Sequence, residues 1–233
     1  SIFYGVPDNI ELARVSFLFG QDFEIDELGE ASRSICDHVP QNWFTEERDN
    51  IHVIGPGPVR FFNNVVFHSP VRIVPDTSIE LEPGASLIFK NRVEMFGTEE
   101  NPIVISGGSA GDKPPWGVVA LVGLNTSGSY LKHVRISGGG TARHQGVVFL
   151  GMLSIHNSRQ VILENVELSS NKKGDDALHL VYVRDSIFRD ITVKNALSDA
   201  IDIDIATDIT FDSLSILKAG NDCLDFMTSS VSI

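Results

Sequence analysis

Short runs of alternating apolar and polar residues dominate the chain after residue 50 and predict β-strands. Three segments near the C-terminus align with one another: ILENVELSSNKKGDDALHL from Ile162, IFRDITVKNALSDAIDI from Ile187, and TFDSLSILKAGNDCLDF from Thr210. Each contains two alternating stretches separated by a polar turn, a pattern typical of two short strands. Because one such unit cannot bury its own apolar side, neighbouring units are expected to stack.

The last repeats share a period of 23 residues. Three sets of positions recur at this interval: Asp176, Asp199 and Asp222; Leu178, Ile201 and Leu224; His179, Asp202 and Asp225. This period, with apolar positions in register, fits one turn of a parallel β-helix better than a propeller blade of about 40 residues. Upstream the spacing is looser, but short strands and Pro or Gly turns continue. We therefore predict an all-β parallel β-helix over residues 51–233, with a β-sandwich or propeller as the alternative.

Residues 1–50 have a different pattern. Leu28, Ala31, Ile35 and Val39 follow helical spacing and predict a short amphipathic helix. Because the open end of a β-helix exposes strand edges, we predict that this segment is an N-terminal cap; a linker from a preceding domain is the alternative. The chain stops inside a repeat at Ile233, so further coils or domains of the same parent chain are the expected neighbours.

Charge and composition exclude several classes of function. The net charge is −13, and residues 174–233 hold 11 acidic residues against 4 basic ones. A nucleic-acid partner requires a basic stripe, which the sequence lacks. No run of 18 apolar residues is present, so we predict no membrane span. The two cysteines, Cys36 and Cys223, are too few for a disulfide framework or a thiolate metal site.

The repeats place aspartates where strands normally avoid them. Within SDAIDIDIATD, Asp199, Asp202 and Asp204 alternate with isoleucines, although aspartate is depleted in strands and like charges on one face repel. Stacked strands lie about 4.8 Å apart, so equivalent aspartates should form columns. If the Leu178 column points into the core, alternation directs the His179 column outward. Carboxylates at this spacing raise one another's pKa or require a counter-ion.

Two of the roles that these aspartate columns can have do not involve catalysis. In the first, Asp176, Asp199 and Asp222 cap turns by accepting hydrogen bonds from backbone N–H groups. In the second, carboxylates of adjacent coils bind a calcium ion, which takes oxygen ligands. The candidate calcium ligands are Asp176, Asp199, Asp202, Asp204, Asp222 and Asp225.

A third interpretation is acid–base chemistry on a sugar chain, which uses paired carboxylates. The candidate catalytic residues are Asp199, Asp202 and Asp222. The candidate substrate contacts are His179 and Asp225, the basic residues Lys172, Lys173 and Arg189, and Trp116 as a stacking platform. Trp116 has a structural alternative, which is packing at a corner of a coil. His133, His144 and His156 lack a metal-ligand interval and are expected on the surface or in turns.

The run from about Ile51 to Ile233 resembles the right-handed parallel β-helix repeat family. The phrases that carry this resemblance are IELEPGASLIF, FGTEENPIVISG, PPWGVVAL, SYLKHVRISGGG, GDDALHL, SDAIDIDI and GNDCLDF. The chain is particularly similar to uncharacterised β-helix modules that accompany spore-coat-type kinase domains in secreted or envelope proteins. The resemblance implies a right-handed parallel β-helix and a secreted or cell-envelope location.

A second resemblance concerns the polygalacturonase-type glycosidases, which share this fold. Their motifs are Asn-Thr-Asp-Gly, then Gly-Asp-Asp-Cys one coil later, then His-Gly and Arg-Ile-Lys. LSDAID resembles the first motif and places Asp199 on its aspartate, while GNDC places Asn221 and Asp222 on the pair of the second. Asn221 stands where that family's general acid acts, and an amide cannot donate a proton as an acid. These departures argue against a working polygalacturonase-type site.

The sequence thus predicts a secreted or envelope β-helix with an acidic face on its C-terminal coils. The predicted function is binding or processing of a polysaccharide or cell-surface glycan, as a hydrolase, lyase or epimerase if the chain is an enzyme. This prediction depends mainly on fold analogy. A non-catalytic structural or adhesive stalk is the alternative. No cofactor is predicted apart from the calcium ion.

Overall fold

The computed structural model describes residues 51–107 and 114–233, together with the backbone of three short strands between residues 10 and 23. The predicted helix around Leu28 to Val39 lies outside the described residues, so the N-terminal cap stays a prediction. Within the described residues, none of the helical segments has the length and hydropathy that a bilayer crossing needs.

The described chain is built almost entirely of short strands, with one 3-10 turn at Leu124–Thr126. The strands, numbered in chain order, are β1 (Ile10–Leu12), β2 (Val15–Phe17), β3 (Gln21–Phe23), β4 (His52–Ile54), β5 (Gly57–Phe61), β6 (Val65–Phe67), β7 (Val71–Ile73), β8 (Thr77–Leu81), β9 (Leu87–Phe89), β10 (Val93–Phe96), β11 (Ile103–Gly107), β12 (Val119–Val122), β13 (Tyr130–Ser137), β14 (Ala142–His144), β15 (Val147–Phe149), β16 (Leu153–His156), β17 (Ile162–Ser169), β18 (Asp176–Val181), β19 (Arg184–Lys194), β20 (Asp199–Asp204), β21 (Thr207–Leu217), β22 (Leu224–Met227) and β23 (Val231–Ser232).

Two large sheets enclose the core. Sheet 1 has eight strands in the order β1-β6-β9-β12-β16-β18-β20-β22, and all of its pairs are parallel except β1 with β6. Sheet 2 has thirteen strands: its main path runs from β23 through β21, β19, β17, β13, β11, β8 and β5 to β2 and β3, and β4, β7 and β10 attach beside it. Successive strands within each sheet come from successive turns of the chain, which is the topology of a parallel β-helix.

The long strands of sheet 2 bend at one stacked position. His133, Asn165, Asp190 and Ser213 all have positive φ, between 49° and 67°, and the neighbouring pairs place them in register. Asn, Asp and His tolerate this left-handed conformation better than most residues. The bend divides each long strand into two straight segments, so that each coil has three sides around the core.

The strand register confirms the predicted period. Asp176 pairs with Asp199, and His179 pairs with Asp202, which in turn pairs with Asp225. The offset rises to 25 residues between β17 and β19, where Ile162 pairs with Ile187, because the turn before β18 carries two additional residues. The sequence prediction of an all-β parallel β-helix is therefore confirmed for the described residues.

The interior contains stacked apolar side chains contributed by all three sides. The rings of Phe67 and Phe89 stack with centroids 5.1 Å apart, and those of Phe188 and Phe211 lie 5.1 Å apart in a later coil. Contacts between equivalent residues of adjacent coils make each coil depend on its neighbours. Truncating one of these buried phenylalanines to alanine would cost about 3–5 kcal/mol.

A hairpin covers part of the outer face of sheet 1, the side that points away from the core. The hairpin consists of the antiparallel strands β14 and β15. Phe149 packs with Val66, Ile88, Val118 and Ala120 in a second apolar cluster. The hairpin ends just before β16. The later coils of sheet 1 carry polar residues on the same outer face.

Candidate functional site

The turn before β18 is fixed by a buried amide. Asn171 is 3% exposed, and its Nδ2 donates a hydrogen bond to the backbone oxygen of Asp176 at 3.3 Å. Its Oδ1 accepts a hydrogen bond from the N–H of Leu197 in the next coil at 2.8 Å. Asn171 thereby connects two coils and determines where Asp176 begins its strand.

Asp176 is enclosed by protein but its carboxylate is not hydrogen-bonded. The residue is 0% exposed, and its backbone bonds to the chain that leaves the hairpin: its N–H donates to Leu150 O at 3.4 Å and its oxygen accepts from Met152 N–H at 3.1 Å. Among the described residues, neither side-chain oxygen has a hydrogen-bond partner. Burial, followed by the charge of Asp202, raises the pKa of Asp176 to about 8.

His179 points outward from sheet 1 and yet is only 4% exposed. The chain passes directly over it at Gly151, where an added Cβ would lie 2.7 Å from His179 Cβ. On one side, the ring of His156 packs edge-on with centroids 5.2 Å apart. His179 Nδ1 has no hydrogen-bond partner among the described residues.

Carboxylates surround the imidazole of His179. Its Nδ1 lies 3.9 Å from Asp176 Oδ2, and its Nε2 lies 3.6 Å from Asp202 Oδ2 and 3.5 Å from Asp204 Oδ2. The Asp202 and Asp204 side chains are 18% and 24% exposed. Burial raises the pKa of Asp202, and His179 opposes this shift. The prediction that His179 and Asp202 share the outer face is confirmed by these distances.

Asp199 has a different environment from its neighbour in the column. Its Oδ1 accepts hydrogen bonds from Asn221 Nδ2 at 2.9 Å and from the N–H of Asp222 at 2.8 Å. These bonds favour the interpretation that Asp199 caps the turn of the next coil. Asp222 is exposed and accepts a 3.1 Å hydrogen bond from Asn221. The catalytic roles of Asp199, Asp202 and Asp222 stay predictions.

The predicted basic contacts are dispersed. Lys172 and Lys173 are exposed on the turn before β18, and the Lys172 N–H donates to Gly139 O at 2.7 Å. Arg189 belongs to sheet 2 and is in register with Glu164, so it does not join the acidic cluster on sheet 1. Any contact of these residues with a substrate stays a prediction.

The structure corrects the assignment of Trp116 to substrate binding. Trp116 is 2% exposed, and its Nε1 donates a 2.9 Å hydrogen bond to Ser137 O. Gly139 allows this packing, because a Cβ there would lie 2.6 Å from the indole. A side chain enclosed in this way packs a corner of the coil and presents no aromatic face to a sugar.

His156 joins the site although its sequence position did not predict this. This residue was expected on the surface or in a turn, but it lies on β16 between Phe149 and His179, with ring centroids 5.1 Å and 5.2 Å away. Burial, followed by the charge of His179, lowers the pKa of His156 to about 4. The signal was available in the alternation of LSIH, in which His156 follows the buried Ile155 as His179 follows Leu178.

Two overlapping groups of side chains have the spacing of metal ligands. Asp176, His179 and Asp202 form one group, and Asp175, Asp176 and Asp199 form the other; within each group the donor atoms lie within 4.8 Å of one another. Neither group includes the predicted calcium ligands Asp204, Asp222 and Asp225. Calcium binding stays a prediction.

A cleft lies on the bend of sheet 2. This cleft has a volume of about 390 Å³, and its lining includes Glu99, His133, Arg135, Glu167 and Asp190. Charges of both signs line it. It therefore differs from the outer face of sheet 1, where Asp202, Asp204 and Asp225 form a surface of one sign, which we call the acidic face.

Comparison with known proteins does not assign the chain to a family. No family model matches the chain, and no curated protein matches it. A provisionally assigned glycosyl hydrolase from Parabacteroides merdae is 12% identical, covering 89% of this chain and 93% of its own, with a TM-score of 0.24. A double mutant of the periplasmic alginate epimerase AlgG is 9% identical, covering 84% and 81%, with a TM-score of 0.22. At these scores, neither likeness carries an argument about activity, and the fold assignment depends on the strand pairing.

Proposed function

We propose that the chain is a polysaccharide-binding β-helix module whose contact surface is the acidic face. The observation that carries the proposal is the placement of Asp202, Asp204 and Asp225 on the outer face of adjacent coils, beside the hairpin. Asp202 and Asp225 pair directly between β20 and β22. Ionised carboxylates accept hydrogen bonds, and sugar hydroxyl groups donate them.

The geometry of the solenoid supports a polymeric ligand. Parallel strands repeat the same side-chain position at about 4.8 Å intervals, so acceptors recur along one direction of the surface. The negative charge of the acidic face favours a neutral, hydroxyl-rich glycan, since a polyanion would be repelled. A polysaccharide partner also fits a secreted or cell-envelope location, which belongs to this proposal.

Processing of the bound glycan is the second step of the proposal, with Asp202 of the metal-free chain as the proton donor. Two observations support Asp202: its half-buried carboxyl has a raised pKa, and His179 Nε2 lies 3.6 Å away. A raised pKa keeps the carboxyl protonated at higher pH, as a general acid requires. Asp199 is less suited because its Oδ1 already accepts two hydrogen bonds.

Affinity electrophoresis of the purified chain through gels containing individual polysaccharides tests the binding step. We expect retardation by at least one neutral polysaccharide, and its loss in the double variant Asp204→Asn/Asp225→Asn. The matched control is Asp190→Asn, which neutralises an exposed carboxylate in the sheet 2 cleft at a left-handed position that Asn tolerates. All gels contain a chelator, so that binding is measured without metal.

Three results would count against the binding proposal. Loss of binding in Asp190→Asn, with the double variant unaffected, would place the glycan in the sheet 2 cleft. Retardation by polyanions alone would contradict the preference for a neutral ligand. Absence of retardation by every polysaccharide would favour the structural or adhesive stalk. For the processing step, new reducing ends released from the neutral glycan should disappear in Asp202→Asn and persist in Asp190→Asn.

A further inference from the structure

Two buried polar side chains on β18 have unused donor atoms that face the same space. Both oxygens of Asp176 and the Nδ1 of His179 lack hydrogen-bond partners among the described residues. Asp176 is 0% exposed and His179 is 4% exposed. A buried carboxylate without a partner is costly, because neither water nor protein compensates its lost hydration. A bound ligand or a bound proton would therefore stabilise this site.

The donor atoms converge at the spacing of a metal site. Asp176, His179 and the half-buried Asp202 each contribute one atom, and these three atoms lie within 4.8 Å of one another. Ligand atoms about 2.0–2.2 Å from a common metal ion are separated by less than this, so small side-chain rotations would close the site. The ligands come from adjacent strands of a rigid sheet, β18 and β20.

We propose that Asp176, His179 and Asp202 bind one divalent first-row transition-metal ion, such as Zn²⁺ or Mn²⁺, on the outer face of sheet 1. The imidazole nitrogen decides the class of metal. Calcium takes oxygen ligands, usually six to eight of them, whereas zinc and its neighbours accept a mixed set of nitrogen and carboxylate oxygen. Two carboxylates balance the charge of the divalent ion.

The surroundings match this assignment. Asp204 Oδ2 lies 3.5 Å from His179 Nε2 and can orient the ring from outside the site. The ring of His156 packs against His179 on its other side. Asp202 is 18% exposed, so the side that faces solvent leaves room for the ion to enter.

Isothermal titration calorimetry of the full 233-residue chain tests the site, with Zn²⁺, Mn²⁺ and Ca²⁺ as separate probes after removal of metal by a chelator. We expect one Zn²⁺ or Mn²⁺ ion per chain, bound at least about tenfold more tightly than Ca²⁺. Removing a ligand should cost more than the 10–100-fold loss typical of outer-shell residues, so Asp176→Asn and His179→Gln should weaken binding about 100-fold or more.

Variants of the overlapping group separate the two arrangements. Asp175→Asn and Asp199→Asn remove carboxylate charges that only the second group uses, and they should change affinity less than about threefold, which is too small for the loss of a ligand. Asp202→Asn keeps the test valid if Asp176→Asn fails to fold, because its side chain is partly exposed. Thermal melts in chelator verify folding of every variant.

The proposal is overturned by absence of transition-metal binding, by Ca²⁺ binding as tightly as Zn²⁺ and Mn²⁺, or by loss of binding in Asp199→Asn with His179→Gln unaffected. The experiment contains no glycan, and the glycan assay contains no free metal. Failure of the metal site is therefore distinguishable from failure of the polysaccharide-binding proposal.

Discussion

Two adjacent coils present the same residue at the same position with different environments. Asp176 and Asp199 pair directly in sheet 1. Asp199 accepts hydrogen bonds from Asn221 and the Asp222 N–H of the next coil. Among the described residues Asp176 receives none, because Ser198 stands where the next coil has Asn221, and the N–H of Asp199 donates to Asp175 O at 3.0 Å instead. A repeated residue can therefore be structural in one coil and available to a ligand in its neighbour.

The chain segment that leaves the hairpin adds to the difference between the two coils. Leu150 and Met152, at the end of the hairpin, bond to the backbone of Asp176 and enclose it. The corresponding face beyond Asp202 has no hairpin among the described residues, and Asp225 is exposed there. The buried carboxyl group of Asp176 has no hydrogen-bond partner among the described residues and therefore destabilises the folded state. The hydrogen-bonded carboxyl group of Asp199 stabilises its turn. Each of the following substitutions tests one side of this contrast.

The largest effect is expected from neutralising Asp176 in the absence of metal. Its pKa is raised to about 8, so the folded state holds a proton that the unfolded state loses near the ordinary value of 3.8. The stability from this proton is complete below about pH 4 and is lost as pH rises towards 8. In chelator, Asp176→Asn should therefore raise the unfolding free energy at pH 8 by about 3 kcal/mol. Urea unfolding at pH 5 and pH 8 measures this.

In the same measurements, the difference in unfolding free energy between Asp176→Asn and the unmodified chain should be smaller at pH 5 than at pH 8. Asp199→Asn serves as the control, since its Oδ1 has donors that satisfy it. An equal effect of the two substitutions at both pH values would show that the two coils do not differ.

The next largest change in unfolding free energy is expected from Asp199, whose carboxylate is hydrogen-bonded. Asp199→Ala leaves the Asp222 N–H and the Asn221 amide without their acceptor. Loss of an acceptor for partly buried donors should lower the unfolding free energy by about 2 kcal/mol. Thermal or urea unfolding measures the change. A neutral result would mean that solvent replaces the carboxylate, contradicting a turn-capping role.

A smaller effect on the unfolding free energy is expected at His156, and its pH dependence is opposite to that of Asp176. Its pKa is lowered to about 4, so the stability associated with the neutral ring is complete above about pH 6.5 and is lost as pH falls towards 4. His156→Phe, which keeps an aromatic ring beside Phe149, should reduce this acid loss by about 1 kcal/mol. Unfolding at pH 7 and pH 5 measures it, and an unchanged acid profile would contradict the assigned burial effect.

The smallest effect is expected at Asp222. This residue is exposed, and among the described residues its side chain accepts a hydrogen bond only from Asn221, its neighbour in sequence. Asp222→Ala should change the unfolding free energy by less than about 0.5 kcal/mol, as for most surface substitutions. A larger loss would assign the turn-capping role to Asp222 as well and remove the contrast with Asp199.

The sequence was sufficient to predict the repeating strands and the columns of the last coils. Leu178, Ile201 and Leu224 recur at the interval that stacking imposes, so their register could be inferred from local patterns. Asp199 as a turn-capping residue was also among the interpretations, because aspartate commonly bonds to nearby backbone in turns.

Other features depend on long-range packing that no local period encodes. His156 pairs at an offset of 25 residues and is partly covered by Phe149 of the hairpin, an insertion between two coils. Trp116 was a candidate for either sugar stacking or packing at a coil corner, and Gly139 leaves the space that its indole occupies in that corner. Asp176 and Asp199 are both buried, at 0% and 7% exposure, and they differ in the hydrogen bonds that their carboxyl groups receive from the next coil, which the repeat period alone does not encode.

The most direct test of the contrast between the two coils is anomalous diffraction from a crystal of the chain soaked with Zn²⁺. We expect one strong anomalous peak bounded by Asp176, His179 and Asp202, and none at the hydrogen-bonded Oδ1 of Asp199. A peak at Asp199 with the Asp176 coil empty would contradict it. The same conclusion would follow if no peak appeared at either coil.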